Sequence, residues 1–324
     1  MTDLPSYEQL AEREPPGSSW GLWGKGDVFG CLNLIMDPSR AKRGAACVRK
    51  GSVFALNLEQ HLPDPPLFGR PAFTHDVTWL QNEAGHDETL SGLNTQSSAQ
   101  WDGFRHIKHP VHGFYNGVAD EEHGVGHWAA RGLAGRGVLA DVARWREEQG
   151  RPLKPDESDP IEASDITGTL DAQGVEVEPG DVLIVRTGWL AWYRSLDPAG
   201  RKAYAEGGHA CVGLRPGEDM WSTLWDLHIA AIAADNPALE VWPPAALATE
   251  EQLAAIRDDP STIDNVFMHF RLLPLFGLPI GELWDTEPLA DDCAADGVYE
   301  FQFTSAPLRV NSGVASPPNA LAIK

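Results

Sequence analysis

The stretch EPGDVLIVRTGW, residues 178–189, constrains the fold more than any other part of the chain. A tight Pro-Gly turn leads into DVLIVRT, which is apolar enough to be a strand buried on both faces. Such a strand leaves no face for water and needs cover on both sides, which helices supply in α/β folds. The remaining segments supply the partners. GSVFALNLE, FTHDVTWL, GVLADV, IAAIAAD and VYEFQFTSAPLRV read as further strands, and PDPPLFGRPAF as a Pro-rich loop. Helices are predicted over PSYEQLAERE, over 37–50 behind a capping Asp37 and a proline, and over ASDITGTLDAQG with Ser164 as its N-cap. Others are predicted in part of LAWYRSLDPAGRKAYAEG, over MWSTLWDLH, and over DNVFMHFRLLPLFG as far as Pro274 to Gly277. LPIGELW begins a further strand or helix, and the tail NSGVASPPNALAIK reads as a loop. Strands and helices alternate without a repeat or a linker, so one mixed α/β domain is expected.

Composition narrows the classes. The 324 residues, 42% of them apolar, suffice for a sizeable core. No apolar run reaches the roughly 18 residues of a membrane span. MTDLPSYEQLAEREPPGSSW carries acids where a signal peptide carries a basic and then an apolar region, so a cytoplasmic protein with no membrane partner is expected. Cys31, Cys47, Cys211 and Cys293 are dispersed without a CxxC pair, which points to reduced thiols. The formal charge is −22 and no basic run could neutralise phosphate, which argues against a nucleic-acid partner. GSSWG, residues 17–21, spells G-x-S-x-G but follows the Pro-rich EREPP and not a strand, so it is no nucleophile elbow, and a phosphate-binding P-loop and a G-x-G-x-x-G dinucleotide loop are absent.

Chemistry concentrates in NTQSSAQWDGFRHIKH, residues 94–109. Gln96, Gln100, Asp102 and His106 follow at intervals of four, two and four. Gln96 and Gln100 would share a helix face, Gln100 and Asp102 a strand face, and a turn could let all four converge. On their own they read equally as loop polars, because a D-x-x-x-H pair is a weak signal. His106 suits proton transfer, since imidazole titrates near neutrality, and a structural histidine is the alternative. His123 and His127 are four apart but lie around glycines, against a helical metal pair. Glu240 and Trp242 follow a strand end, where α/β sites often lie, and Asp235 is a candidate to orient a ligand there.

The 94–109 segment resembles the metal motif H-x-G-T-H-x-D-x-x-x-H of the cyclase family that includes bacterial kynurenine formamidase and isatin hydrolase. Gln96 and Gln100 fall on its first two histidines, Asp102 on the metal-binding aspartate, and His106 on the histidine that acts as general acid/base. Ser98 and Ala99 replace the Gly-Thr pair. In MHFRLLPLFGLPIGE, His269 and Glu282 match the family's later metal-binding histidine and glutamate, with one residue more between them. WGLWGKGDVFGCLNL and FTSAPLRVNSGVASPPNALAI are similar to a bacterial and fungal branch that carries Q-x-x-x-Q-W-D in place of the histidine motif. The resemblance therefore covers a domain of residues 20–324, preceded by an N-terminal extension of residues 1–19.

The resemblance implies a single-domain swivelling β/β/α fold and a homodimer. It implies a divalent metal ion on Asp102, His269 and Glu282, with Gln96 and Gln100 completing the shell or binding a small-molecule substrate. Amide oxygen is a harder, weaker donor than imidazole, so the exchange should weaken zinc and favour manganese or magnesium. The leading expectation is a metal-dependent hydrolase, or a cyclase in reverse. It would act on a C–N or C–O bond of a small amide, lactone or cyclic imide, with His106 as general acid/base. Trp101, Phe104 and Tyr115 are candidates to stack on a ring, and His109 and His127 to contact substrate. Two other readings stay open: a metal-free lyase or dehydratase using His106 and a carboxylate, and a catalytically silent member that binds a small ligand.

Overall fold

Val182–Val185 form the central strand of a nine-stranded sheet, with all four side chains buried. The computed structural model describes residues 4–324. Its strands are β1 (Val53–Ala55), β2 (Thr74–Trp79), β3 (His86–Ser91), β4 (Gln100–Asp102), β5 (Leu133–Ala140), β6 (Pro160–Ile161), β7 (Val182–Val185), β8 (Gly213–Leu214), β9 (Ala231–Ala234), β10 (Ile280–Glu282), β11 (Glu300–Ser305), β12 (Ala315–Ser316) and β13 (Ala320–Ile323). The large sheet runs β1-β13-β11-β5-β7-β9-β10-β4-β12. Its middle strands β5, β7, β9 and β10 are parallel, and antiparallel strands flank them on both sides. Parallel strands bury both faces, which is why VLIV and AIAA are unbroken apolar runs.

Helix Pro38–Ala46 is capped as expected by Asp37, whose side chain accepts from the Ser39 N–H. It lies so close to β5 that a Cβ on Gly44 would fall 2.0 Å from the Gly135 carbonyl oxygen, an approach only glycine admits. Helix Ala163–Gln173 starts two residues earlier than a Ser164 cap requires. Glu162 is its N-cap, in a reciprocal capping box with Asp165. The helical stretch after β7 is two helices, Trp189–Ser195 and Pro198–Glu206, with Asp197 capping the second. The tail is not all loop: β13 pairs with β1 and β11 and closes that side of the sheet.

Residues expected as an N-terminal extension pack on the domain from residue 5 onward, where the Pro5 carbonyl accepts from the Trp225 indole N–H. The Tyr7 hydroxyl donates to Glu218, Leu10 is fully buried, and the Ser19 hydroxyl donates to the Phe276 carbonyl. The hairpin β2–β3 does the opposite. Its strands pair only with each other and are exposed throughout, Trp79 at 62%. All four cysteines are free and buried. No helix among the described residues is long and apolar enough to cross a membrane.

The pairing of β4 with β10 positions the chemistry. It is antiparallel, with Gln100 opposite Glu282 and Asp102 opposite Ile280. Side chains alternate along a strand, so Gln100 and Asp102 share one face and Trp101 takes the other.

Candidate active site

His269 reaches this face from the connection before β10. It opens a single helical turn, His269–Arg271, which continues as a buried π-helical turn, Leu272–Phe276. A π turn takes up more residues than an α turn. It lies where the sequence carries one residue more between His269 and Glu282 than the family motif.

The contacts are dense. His269 Nδ1 lies 2.9 and 3.0 Å from the two carboxylate oxygens of Glu240. Its Nε2 lies 3.1 Å from Glu282 Oε1 and 3.7 Å from Asp102 Oδ2. Gln100 Nε2 donates to Glu282 Oε2 at 2.6 Å, and Gln96 Nε2 to Asp102 Oδ1 at 2.7 Å. The same Gln96 nitrogen lies 3.0 Å from His106 Nδ1, and the His106 and His269 rings meet edge-on, 5.8 Å apart. Asp102, His106 and His269 offer ligand atoms within 4.8 Å of one another.

Three carboxylates around one imidazole set the protonation. Burial pushes His269 down, but Glu240 above all, then Asp102 and Glu282, hold it well above the ordinary histidine value. Burial raises Asp102, yet His106 and His269 outweigh it and hold the carboxyl down at about 2. At Glu282 burial wins, reinforced by repulsion from Asp102, and the pKa is pushed up to about 7. Burial lowers His106 against the pull of Asp102, which leaves a neutral ring at pH 7 able to accept a proton.

This donor set fits a divalent cation. A carboxylate on Nδ1 fixes the orientation of the ring, and a cation that displaces the Nε2 proton would meet a lone pair aimed into the cluster. Nε2 lies between two further carboxylates. Gln100 Oε1 is buried without a hydrogen-bond partner and is a spare hard donor. Buried carboxylates in excess of positive charge also call for a counter-ion.

The structure brings Gln96, Gln100, Asp102, His106, His269 and Glu282 together. The two amides do something the sequence reading did not foresee: each turns its NH2 group to a carboxylate, leaving Gln100 Oε1 as the buried oxygen to spare. Trp101, Phe104 and Tyr115, expected against substrate, lie in the core instead. Strand alternation turns Trp101 onto Trp128 and Trp284, with its Nε1 donating to Ser305 Oγ. Phe104 packs on Tyr115, whose hydroxyl donates to Asp27, because large aromatic rings gain most by leaving water. His109 is buried with Nδ1 accepting from the Val111 and His112 N–H groups, and His127 is exposed on the Glu122 carbonyl. Neither has a hydrogen bond or ring contact with the cluster. Asp235 accepts from the Thr187 N–H and hydroxyl and orders the turn after β7. Two residues with no assigned role from sequence matter more. Glu240 holds His269, and its only sequence signal was a position after a strand end. Arg70 donates to the Gln96 carbonyl, and a lone arginine in a Pro-rich loop gave no signal.

Fold and site together define a class: a mixed α/β protein with a buried carboxylate–imidazole cluster toward one edge of its sheet. The Cyclase family model matches residues 52–241, more than half of the chain, and the chain belongs to that family. A solved structure described as a novel cyclase is 28% identical and covers 95% of this chain and 99% of its own, with a TM-score of 0.78. Isatin hydrolase A from Labrenzia aggregata is 15% identical, covering 86% of this chain and 94% of its own, with a TM-score of 0.56. Isatin hydrolase A from Ralstonia solanacearum is 14% identical, covering 84% and 92%, with a TM-score of 0.57. These two share the fold. No match was found among curated protein sequences. The cyclase-like swivelling β/β/α fold expected from the motifs is the one observed.

Proposed function

We propose that the protein is a metal-dependent hydrolase, or cyclase in reverse, acting on a C–N or C–O bond of a small amide, lactone or cyclic imide. One observation carries the reading: His269 presents Nε2 between Asp102 and Glu282 while Glu240 holds its Nδ1. Asp102, His269 and Glu282 would hold the ion, with Gln100 Oε1 in reach of the same space. Manganese, magnesium or zinc, when bound, polarises a carbonyl and lowers the pKa of water toward about 7. The chain's own groups handle the proton. His106 takes it from the attacking water on a ring nitrogen and returns it to the leaving nitrogen or oxygen. Asp102 stabilises the imidazolium that forms, and the Gln96 amide holds the ring and that carboxylate together.

A second reading, a metal-free lyase, is favoured by one observation. Glu282, pushed up to about 7, could act as an acid opposite neutral His106. Protein purified without chelator and assayed for metal content, then for turnover of amides, lactones and imides with and without EDTA, separates the two. Absence of stoichiometric metal, with no effect of added metal on Tm or rate, refutes the hydrolase reading. A melting shift with ligands but no turnover supports a silent binding protein. Full turnover by His106→Ala removes the proton-transfer role. A homodimer is proposed on the β2–β3 hairpin, which leaves Val77 and Trp79 largely exposed. A monomer by light scattering refutes it.

A further inference from the structure

One arginine without a carboxylate of its own stands beside the carboxylate cluster. In a chain with 47 Asp and Glu against 25 Lys and Arg, most partly buried arginines find carboxylates: Arg136 holds Glu178, Arg186 holds Glu287 and Arg271 holds Asp264, whereas Arg13 and Arg201 rest on backbone carbonyls far along the chain from the site motif. Half-buried Arg70 has no carboxylate partner among the described residues. Its guanidinium donates to the Gln96 carbonyl and lies 5.1 Å over the Phe68 ring, with the rest of its fork unused. The Gln96 side chain rests on Asp102 and His106, so this cation stands at the border of the carboxylate cluster. A positive group kept unpaired beside so many acids is available to an anion from outside.

Phe68 starts an aromatic wall. Its φ of 58° is a strained setting for a bulky residue, held by its surroundings. Its ring meets His209 at 5.1 Å and Trp242 at 5.0 Å, each edge-on. Trp242 meets Phe267 at 6.0 Å, and Phe267 meets His269 at 5.2 Å. Unlike Trp101, Phe104 and Tyr115, the aromatics Phe68, Trp242 and Phe267 keep part of their surface open. The wall therefore runs from the free guanidinium to the imidazole of the cluster. Apolar surface with a few convergent polar groups is the usual make-up of a small-molecule site.

We propose that Arg70 is the anion-binding residue of this site and that the substrate is a carboxylate-bearing molecule with a planar apolar body. The carboxylate would sit on the guanidinium fork and the body against Phe68, Trp242 and Phe267. The planar fork matches a carboxylate with two parallel N–H···O bonds, which a lysine cannot reproduce. The proposal rests on the hydrolase reading only in naming the bound molecule a substrate.

The test uses the full chain with benzoate and benzamide as probes, by calorimetry, on wild type, Arg70→Gln, Arg70→Lys and Phe68→Ala. Wild type should bind benzoate at least about tenfold more tightly than benzamide. R70Q should abolish that difference and R70K keep part of it, at an unchanged Tm. F68A should weaken both probes alike, with the preference retained. No binding of benzoate, equal binding of the two probes, or a preference that survives in R70Q overturns the proposal; the last would place the carboxylate elsewhere in the cluster. Turnover of 2-acetamidobenzoate and its methyl ester keeps the two readings apart. If neither is hydrolysed while the Arg70-dependent preference stands, hydrolysis fails and the binding site remains. If both are hydrolysed with equal KM, the hydrolase reading stands and Arg70 recognition falls.

Discussion

Glu240→Gln preserves the shape around His269 and removes one charge, which makes it the sharpest probe of the cluster. In the wild type the Nδ1–H is shared between two buried carboxylate oxygens at 2.9 and 3.0 Å. The glutamine can still accept it through its amide oxygen. A hydrogen bond to a charged partner contributes about 1.5–3 kcal/mol net and a neutral one about 0.5–1.5. The exchange therefore costs about 1–1.5 kcal/mol, or roughly tenfold in any equilibrium that needs His269 held in place. Loss of such an outer partner commonly lowers metal affinity about 10–100-fold, so the two routes agree on the lower bound. Competition against a fluorescent chelator, for Mn²⁺ and Zn²⁺, measures it. Affinity for both ions should fall by about tenfold or more. In EDTA the Tm should fall, because Glu240 is the charge that does most to hold the His269 imidazolium in the metal-free fold. Unchanged affinity for both ions would falsify the claim that Glu240 orients a ligand.

Trp101→Ala should destabilise by about 3–5 kcal/mol in urea unfolding, since the ring is fully buried among Trp128, Trp284 and Phe303. Wild-type stability with altered substrate binding would return Trp101 to the site. Asp235 is pushed up to about 6 by burial first and Glu287 second. Its folded pKa exceeds the unfolded value of about 3.9, so the stability it contributes is full below about pH 4 and is lost as pH rises through 6. Relative to Asp235→Asn, wild type should lose about 3 kcal/mol between those limits, and parallel stability curves for the two proteins refute the assignment. Gln100→His restores an imidazole beside Glu282, and the ratio of zinc to manganese affinity should rise by roughly tenfold or more. A ratio unchanged in the same competition assay places residue 100 outside the ion's reach.

Much of the frame was legible because it is local. VLIV and AIAA announce interior parallel strands, and Asp37 followed by proline announces a helix start. ALAI in the tail was illegible: four residues after a Pro-Pro pair read as loop until β1 and β11 flank them. The site divides in the same way. Gln96 to His106 lie within one short segment, so their spacing could be matched to a motif. Even the misplacement of Trp101 had a signal, because a strand that turns Gln100 and Asp102 to the site must turn Trp101 away.

The sequence by itself determined the strand-and-helix frame, the family motifs, and the replacement of two imidazoles by two amides. Only the tertiary structure decided that Glu240 holds His269 from 29 residues away, and that Gln100 meets Glu282 across 182. It alone left Arg70 unpaired at the end of an aromatic wall. Local spacing is written in chain order, whereas β4–β10 register and long-range contacts are selected by how the whole core packs, and no window of sequence contains that choice.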